Sequence, residues 1–250
     1  MTTIALQLYT VRDETAKDFA GTLRRVAAAG YTAVEFAGYG DLSTKQMQEL
    51  LAETGLQALS SHVSRDRLEN HFEQEIAYAQ AIGCPYIVMP WLAPDQRIGK
   101  TWPILAETLN SMGKAAKEHG LTLGYHNHDF EFAPVSDNDK TLVLDYLLEH
   151  TDPAHVAFEL DTYWAAYAGF DPVNYLQRHA GRIPLVHLKD MTPERTFTEV
   201  GAGTLPITAI IEAARASGAQ GYIVENDRPS IPSLESAQRS LQFLRSLPEL

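Results

Sequence analysis

The sequence predicts an α/β chain folded as a single (β/α)8 TIM barrel over residues 1–250. Three observations carry this. Short apolar runs alternate with longer amphipathic stretches, which argues for parallel βαβ units. Eight such pairs can be read along the chain, enough to close a barrel. The length of 250 residues is usual for one such domain, with ample chain for a full core.

The elements follow in order. Ile4–Tyr9 reads as strand one and Ala16–Ala29 as a helix stopped by Gly30. Thr32–Phe36 is strand two, and the helix Thr44–Thr54 closes at Gly55. Gln57–His62 is strand three; a helix near Leu68–Ile82 ends before Gly83. Tyr86–Pro90 is strand four, followed by the helix Trp102–His119 and Gly120. Leu121–Asn127 is strand five, Lys140–His150 a helix, and Val156–Asp161 strand six. A short helix near Pro172–His179 precedes strand seven, Ile183–Lys189. The helix Pro206–Ser217 stops at Gly218, Gly221–Asn226 is strand eight, and Ser233–Leu247 closes the chain. No low-complexity linker or second domain interrupts the pattern, and no G-x-G-x-x-G follows the first strand.

Composition excludes several classes of function. Net charge is −12, from 20 basic and 32 acidic side chains, which disfavours a nucleic-acid partner. No apolar run reaches membrane-spanning length, and MTTIALQLYT lacks a signal-peptide pattern, so a cytoplasmic protein with no membrane partner is expected. The single cysteine, Cys84, rules out an internal disulfide or a cysteine-based zinc site and reads as a small buried apolar residue. Composition leaves a homo-oligomer open.

Barrels of this type carry their sites at the C-terminal ends of the strands, and successive strand residues point to opposite faces. Parity therefore selects inward polar side chains near those ends: Gln7 and Tyr9, Glu35, His62 with Ser60, Glu159 and Asp161, His187 and Lys189, Glu225 and Asp227. Any one of these could cap a strand or pair at a wet rim. A whole set of converging carboxylates needs a cation or paired bases to be tolerated. Asp161, His187 and Glu225 offer oxygen, nitrogen and oxygen donors from three consecutive strands, suiting one divalent ion. Mixed carboxylate–imidazole ligation leans to Mn²⁺ or Zn²⁺, with Mg²⁺ or Co²⁺ as alternatives. Strand five, GYHNHDFEF, turns His126 and His128 inward, with Glu131 reaching the centre only if the chain bends over the mouth. Trp91 and Trp164 could stack on a substrate face or cover the rim; Tyr9 and His62 are candidate hydroxyl contacts.

The segments ALQLYTVRD, VEFAGY, YHNHDFEF, FELDTYW, VHLKD, EVGAGTLP and VEND, in order over nearly the whole chain, resemble the xylose-isomerase-like barrel superfamily of sugar isomerases and epimerases. That group also contains inosose dehydratase and endonuclease IV. The resemblance implies a metal held by Glu, Asp, His and Glu from strands five to eight. Asp161, His187 and Glu225 match the last three, with an Asp-to-His spacing of 26 like that of ketose 3-epimerases. The first glutamate is missing at the end of strand five, where Glu131 is the expected replacement and His128 the fallback. Trp164 stands where those epimerases carry a histidine, which removes a ligand the three-zinc nuclease needs.

The resemblance implies an enediolate mechanism on a small sugar or polyol. Metal polarises a carbonyl, a base removes the neighbouring proton, and the intermediate is reprotonated or loses a substituent. Glu225 would bind metal and contact the enediolate, His126 or His128 would be the second acid–base group, and Lys189 would steady an oxyanion or form a salt bridge with Glu159 or Asp190. Glu35 and Glu159 are expected to touch substrate or orient ligands, since Glu159 lies two residues, about 6–7 Å, below Asp161. A metal-dependent isomerase or epimerase is the first expectation. A lyase or dehydratase on a keto-sugar, keto-inositol or 3-keto-glycoside is the alternative, and a non-catalytic sugar-binding subunit the second alternative.

Overall fold

The computed structural model describes residues 3–248. Eight parallel strands close into the expected barrel: β1 (Thr3–Gln7), β2 (Ala33–Phe36), β3 (Gln57–His62), β4 (Tyr86–Met89), β5 (Thr122–His126), β6 (Val156–Asp161), β7 (Leu185–Leu188) and the closing strand Gly221–Val224, which pairs with both β7 and β1. Among the described residues no helix is long and apolar enough to cross a membrane.

Two layers of apolar packing hold the barrel. Outward strand residues such as Leu6, Val34, Phe36, Leu123, Phe158, Leu160, Val186 and Leu188 are buried against the helices. Inside, a smaller cluster of Ala5, Ala33, Val88, Leu185 and Ile223 fills the lower half. Gly124 belongs to that fit, since a Cβ there would meet Val88 Cγ2 at 3.0 Å. The inward face thus changes from apolar below to polar above, which raises the ionisable groups to the C-terminal mouth. Cys84 is buried, and burial pushes its thiol up to about 12.

The helices depart from the sequence reading where a cap intervenes. The predicted helix Ala16–Ala29 begins instead at Phe19, because Asp18 accepts a hydrogen bond from Gly21 N at 2.8 Å and starts a new helix; Arg12–Thr15 is a separate turn. The segment read as Leu68–Ile82 is split at His71 into Arg65–Asn70 and Phe72–Ala81. Strand one ends at Gln7, and Leu8–Val11 is a 3-10 turn. A two-stranded hairpin, Asp190–Met191 with Phe197–Thr198, follows β7 and was not legible in the sequence.

Register sets which side chains meet. Glu35 is level with Gln7 on β1 and, after an irregularity at Val34/Glu35, with Ser60 on β3. His126 is level with Glu159, and Asp161 with His187.

Candidate active site

Asp161, His187 and Glu225 converge as expected, with ligating atoms within 4.8 Å of one another and all three side chains buried. Each is held from behind. Asp161 Oδ1 accepts the Trp164 amide at 3.0 Å at the start of the helix Thr162–Tyr167. Its Oδ2 is buried and satisfied by no hydrogen bond, with the Lys189 ammonium 2.9 Å away as ion-pair partner. Asn127 Oδ1 accepts the Asp161 amide at 3.0 Å, which ties the end of β5 to the end of β6.

The histidines present one nitrogen to this group and the other to a carboxylate. His187 Nδ1 lies 2.9 Å from Glu225 Oε2, while its Nε2 lies 2.7 Å from Glu35 Oε2. His126 Nε2 is 3.7 Å from Asp161 Oδ2, while its Nδ1 is 2.9 Å from Glu159 Oε2. A carboxylate behind an imidazole fixes the ring and its tautomer, the arrangement common behind metal-ligating histidines. Gln7 Nε2 and Ser60 Oγ in turn hold Glu35, at 2.7 and 2.6 Å. His62 Nε2 joins from β3, 2.7 Å from Glu159 Oε2 and 3.2 Å from Glu35 Oε2. His62, His126, Glu159 and His187 also lie within 4.8 Å of one another, but there the Glu159 oxygen already serves three imidazoles.

Burial and charge oppose each other at Glu159, Glu225, His187 and His62. Burial would lift Glu159, yet His187 and His62 hold it well below the usual carboxylate range. Burial would also lift Glu225, and Lys189 and His187 bring it well down. Among the carboxylates Glu35 departs from this: burial, with the Glu159 charge beside it, raises it. His187 is raised well above the usual range despite burial, by Glu159 and Glu35. His62 is raised for the same reason, Glu35 and Glu159 outweighing burial. His126 goes the other way, lowered to about 4 by burial and by the neighbouring His187. His128 falls well below the usual range through burial and the His126 and Lys189 charges.

Lys189 is the internal cation. Its Nζ stands 2.9 Å from Asp161 Oδ2, 2.8 Å from Glu225 Oε2 and 2.9 Å from Asp227 Oδ1. Those partners differ from the Glu159 or Asp190 contact expected for a simple salt bridge. Asp190 points into the following loop instead, where Oδ2 accepts from Gly201 N and Gly203 N at 2.9 and 3.0 Å, and Oδ1 from Leu205 N at 3.1 Å. A Cβ on Gly203 would sit 2.2 Å from Asp190 Oδ1, so EVGAGTLP is a loop wrapped on a carboxylate, its amides engaged there.

Glu131, the strand-five ligand expected from the resemblance, stands apart from the triad. The chain after β5 turns back through a 3-10 turn, Phe130–Phe132, and Glu131 is not among the converging groups. It accepts from Tyr125 Oη at 2.6 Å and from His128 N at 2.8 Å, and burial pushes it up to about 8. From strand five, His126 Nε2 stands 3.7 Å from Asp161 Oδ2.

A cavity of about 660 Å³ opens above these groups, lined in part by His62, His126, His128, Trp91, Trp164, Lys189 and Glu225. His128 Nδ1 and Trp164 Nε1 are buried in its wall without hydrogen-bond partners. Tyr9 stands at the mouth rather than inside, 45% exposed, because strand one ends before it. Sequence reasoning missed Arg12, Phe197 and Arg228 on the lining. None lies on a barrel strand, so strand parity carried no signal for them.

The chain is 27% identical over 273 aligned positions to an inosose dehydratase of Salmonella typhimurium, spanning 90% of this chain and 87% of that one. It superposes on a sugar phosphate isomerase/epimerase of Parabacteroides distasonis with a TM-score of 0.87 and 26% identity, covering 100% and 99% of the two chains. The IOLI protein, solved with a bound zinc atom, shares the fold with a TM-score of 0.75 at 15% identity, covering 98% and 97%. The model of the xylose isomerase-like TIM barrel family matches residues 23–247, and the chain belongs to that family.

Proposed function

We propose that the chain is a metal-dependent enzyme that removes a proton beside a carbonyl of a small keto-sugar or keto-polyol. The observation that carries this is the pair of buried imidazoles, His126 and His187, each turned towards Asp161 or Glu225 by a carboxylate bound to its other nitrogen. His126, Asp161, His187 and Glu225 would hold one divalent ion, Mn²⁺ or Zn²⁺ by the mixed donors, and Asp161 Oδ2, buried with no hydrogen bond and faced only by the Lys189 ammonium, fits that role. Bound there, the ion would polarise a carbonyl and its neighbouring hydroxyl, so that the adjacent C–H becomes acidic.

The remaining work belongs to the side chains. Glu225, held ionised, takes the proton. Neutral His128, with Nδ1 free in the cavity wall, accepts or returns a proton on the other side. The Lys189 ammonium steadies the developing oxyanion.

Elimination of a β-substituent is the reaction these residues support best: the C–H bond breaks to Glu225, a C=C bond forms as the β C–O bond breaks, and the proton taken by Glu225 passes, directly or by way of His128, to the departing oxygen. A carboxylate on each side would suit reversible transfer between two faces, and strand five supplies an imidazole where ketose epimerases carry a glutamate. Similarity to inosose dehydratase along most of the chain supports the same reading. Isomerisation or epimerisation is the second reading, favoured by the likeness to the sugar phosphate isomerase/epimerase. NMR of keto-inositols and keto-sugars in D₂O with the metal-loaded protein separates them. Elimination gives loss of water or aglycone; isomerisation gives deuterium incorporation with composition retained. Neither, in a protein that binds metal, would overturn both.

A further inference from the structure

The arginines around the cavity mouth are not all engaged alike. Arg97 lies 5.0 Å from the Trp91 ring centroid and 3.7 Å from that of Phe130, and its Nε donates to Leu92 O at 2.8 Å. It is spent on the wall those rings build. Arg12 and Arg228 also line the cavity, and among the described residues no carboxylate pairs with either. Elsewhere in this acidic chain arginines meet carboxylates, as Arg24 meets Glu53 and Arg178 meets Asp145.

The two residues are neighbours. Arg12 follows β1, and Arg228 follows the closing strand, which pairs with β1. Arg12 Nη1 donates to Tyr9 O and Nη2 to Asp227 O, each at 2.8 Å, and the guanidinium lies 4.1 Å from the Tyr9 ring centroid. Arg12 is thereby fixed against the peptide that leads into Arg228. The Arg228 side chain is exposed and, among the described residues, has no hydrogen bond or ion pair. The Asp227 carboxylate is committed below, its Oδ1 2.9 Å from Lys189 Nζ. Two like charges placed together repel unless an anion joins them, and guanidinium forks match a carboxylate. Asp227 lies two residues past Glu225, at most about 7 Å of chain, so one short sugar spans from the floor to the pair.

A second observation separates carboxylate from phosphate. Barrels of this type bind phosphate with the loops after strands seven and eight. Here the amides after β7 are already taken. Buried Asp190 accepts from Met191 N, Gly201 N, Gly203 N and Leu205 N at 2.8, 2.9, 3.0 and 3.1 Å. A carboxylate of the chain itself fills the amide cup that a phosphate would use. The arginine pair is left for a substrate anion, and it offers side-chain forks without such a cup.

We infer that the substrate carries a carboxylate, held by Arg12 and Arg228 while its ketone lies on the floor. The substrate class is a keto-sugar acid, and Arg228 sets the preference for it. This rests on the floor being a ketone site, as proposed above, and adds a charge that the floor does not demand.

Calorimetry on the metal-loaded full chain tests this with two matched ketoses, 5-keto-D-gluconate and L-sorbose. They share one carbon chain and one ketone, and differ in a carboxylate against a hydroxymethyl group. The keto acid should bind roughly tenfold tighter, the size of one charge-assisted contact at a partly exposed site. In Arg228→Gln that preference should fall to about threefold or less, while L-sorbose binds as to the wild type. Arg228→Lys should restore part of it, through charge without the fork. L-Sorbose 6-phosphate should bind more weakly than the keto acid; tighter binding would make the anion a phosphate and overturn the inference. Equal affinity for the keto acid and L-sorbose, or a preference unchanged in Arg228→Gln, would overturn it while the ketone site stands. Failure of the ketone site itself would show differently, as wild-type protein that binds neither ketose, and would overturn both.

Discussion

Lys189 Nζ lies 2.9 Å from Asp161 Oδ2, so an ammonium sits against the carboxylate oxygen that a divalent ion would use. The two cations would compete for overlapping positions. Burial would lower Lys189, but Asp161 and Glu225 hold it well above the usual range, so it stays charged at neutral pH. Lys189→Met removes a like charge from beside the proposed ion. Two unit charges about 4 Å apart near a protein surface repel by about 4 kcal/mol, so metal affinity should rise at least tenfold. Turnover should fall, because the oxyanion loses its partner. Metal titration with parallel kinetics checks both, and weaker metal binding in the variant would contradict the competition.

The two strand-five histidines should separate cleanly. His126 stands beside the triad and His128 lines the cavity wall. His126→Asn should lose bound metal. His128→Asn should keep it and lower turnover by about 10²–10⁴-fold, the usual size of a general acid–base contribution. Elemental analysis and steady-state kinetics on the two variants test this. Metal loss in His128→Asn with retention in His126→Asn would reverse the two roles.

Glu131 should govern stability rather than chemistry. Burial pushes its carboxyl up to about 8 from an ordinary 4.5. Between those values the folded protein holds a proton that the unfolded chain has lost, so this group's contribution to stability falls as pH rises through that window. Glu131→Gln removes the titration and can keep both hydrogen bonds. The melting temperature of the variant relative to wild type should therefore climb by a few degrees from pH 5 to pH 8. Metal content should be unchanged. A flat or falling difference, or loss of metal, would contradict the assignment.

Much of the floor was legible because a barrel strand has period two and its inward face is set by the apolar residues beside it. Glu35, His62, His126, Glu159, Asp161, His187, Lys189 and Glu225 all lie where that parity sends them. Parity stops being informative where the chain leaves the extended form. Tyr9 follows the end of β1 and stands at the mouth. Glu131 lies in a turn that doubles back to Tyr125, so its distance along the sequence from His128 gave no guide to its direction. The wall built by Trp91, Arg97 and Phe130 joins two loops, and contact between loops leaves no periodic signal. Asp190 was hidden for a similar reason, since its partners are backbone amides 11 to 15 residues away.

The double variant Asp161→Ala, His187→Ala tests whether the fold depends on the site. Removing both should abolish bound metal while circular dichroism stays that of the wild type, because the apolar layers below and outside the mouth remain. An unfolded variant would show that the buried charges are structural, and undiminished metal would place the ion elsewhere.

Anomalous diffraction from crystals grown with Mn²⁺ tests the central claim most directly. One peak per chain should appear with Asp161, His187, Glu225 and His126 as ligands, at distances of about 2.0–2.3 Å. Absence of a peak, or a peak ligated by Glu131 or by His62 and Glu159, would contradict it.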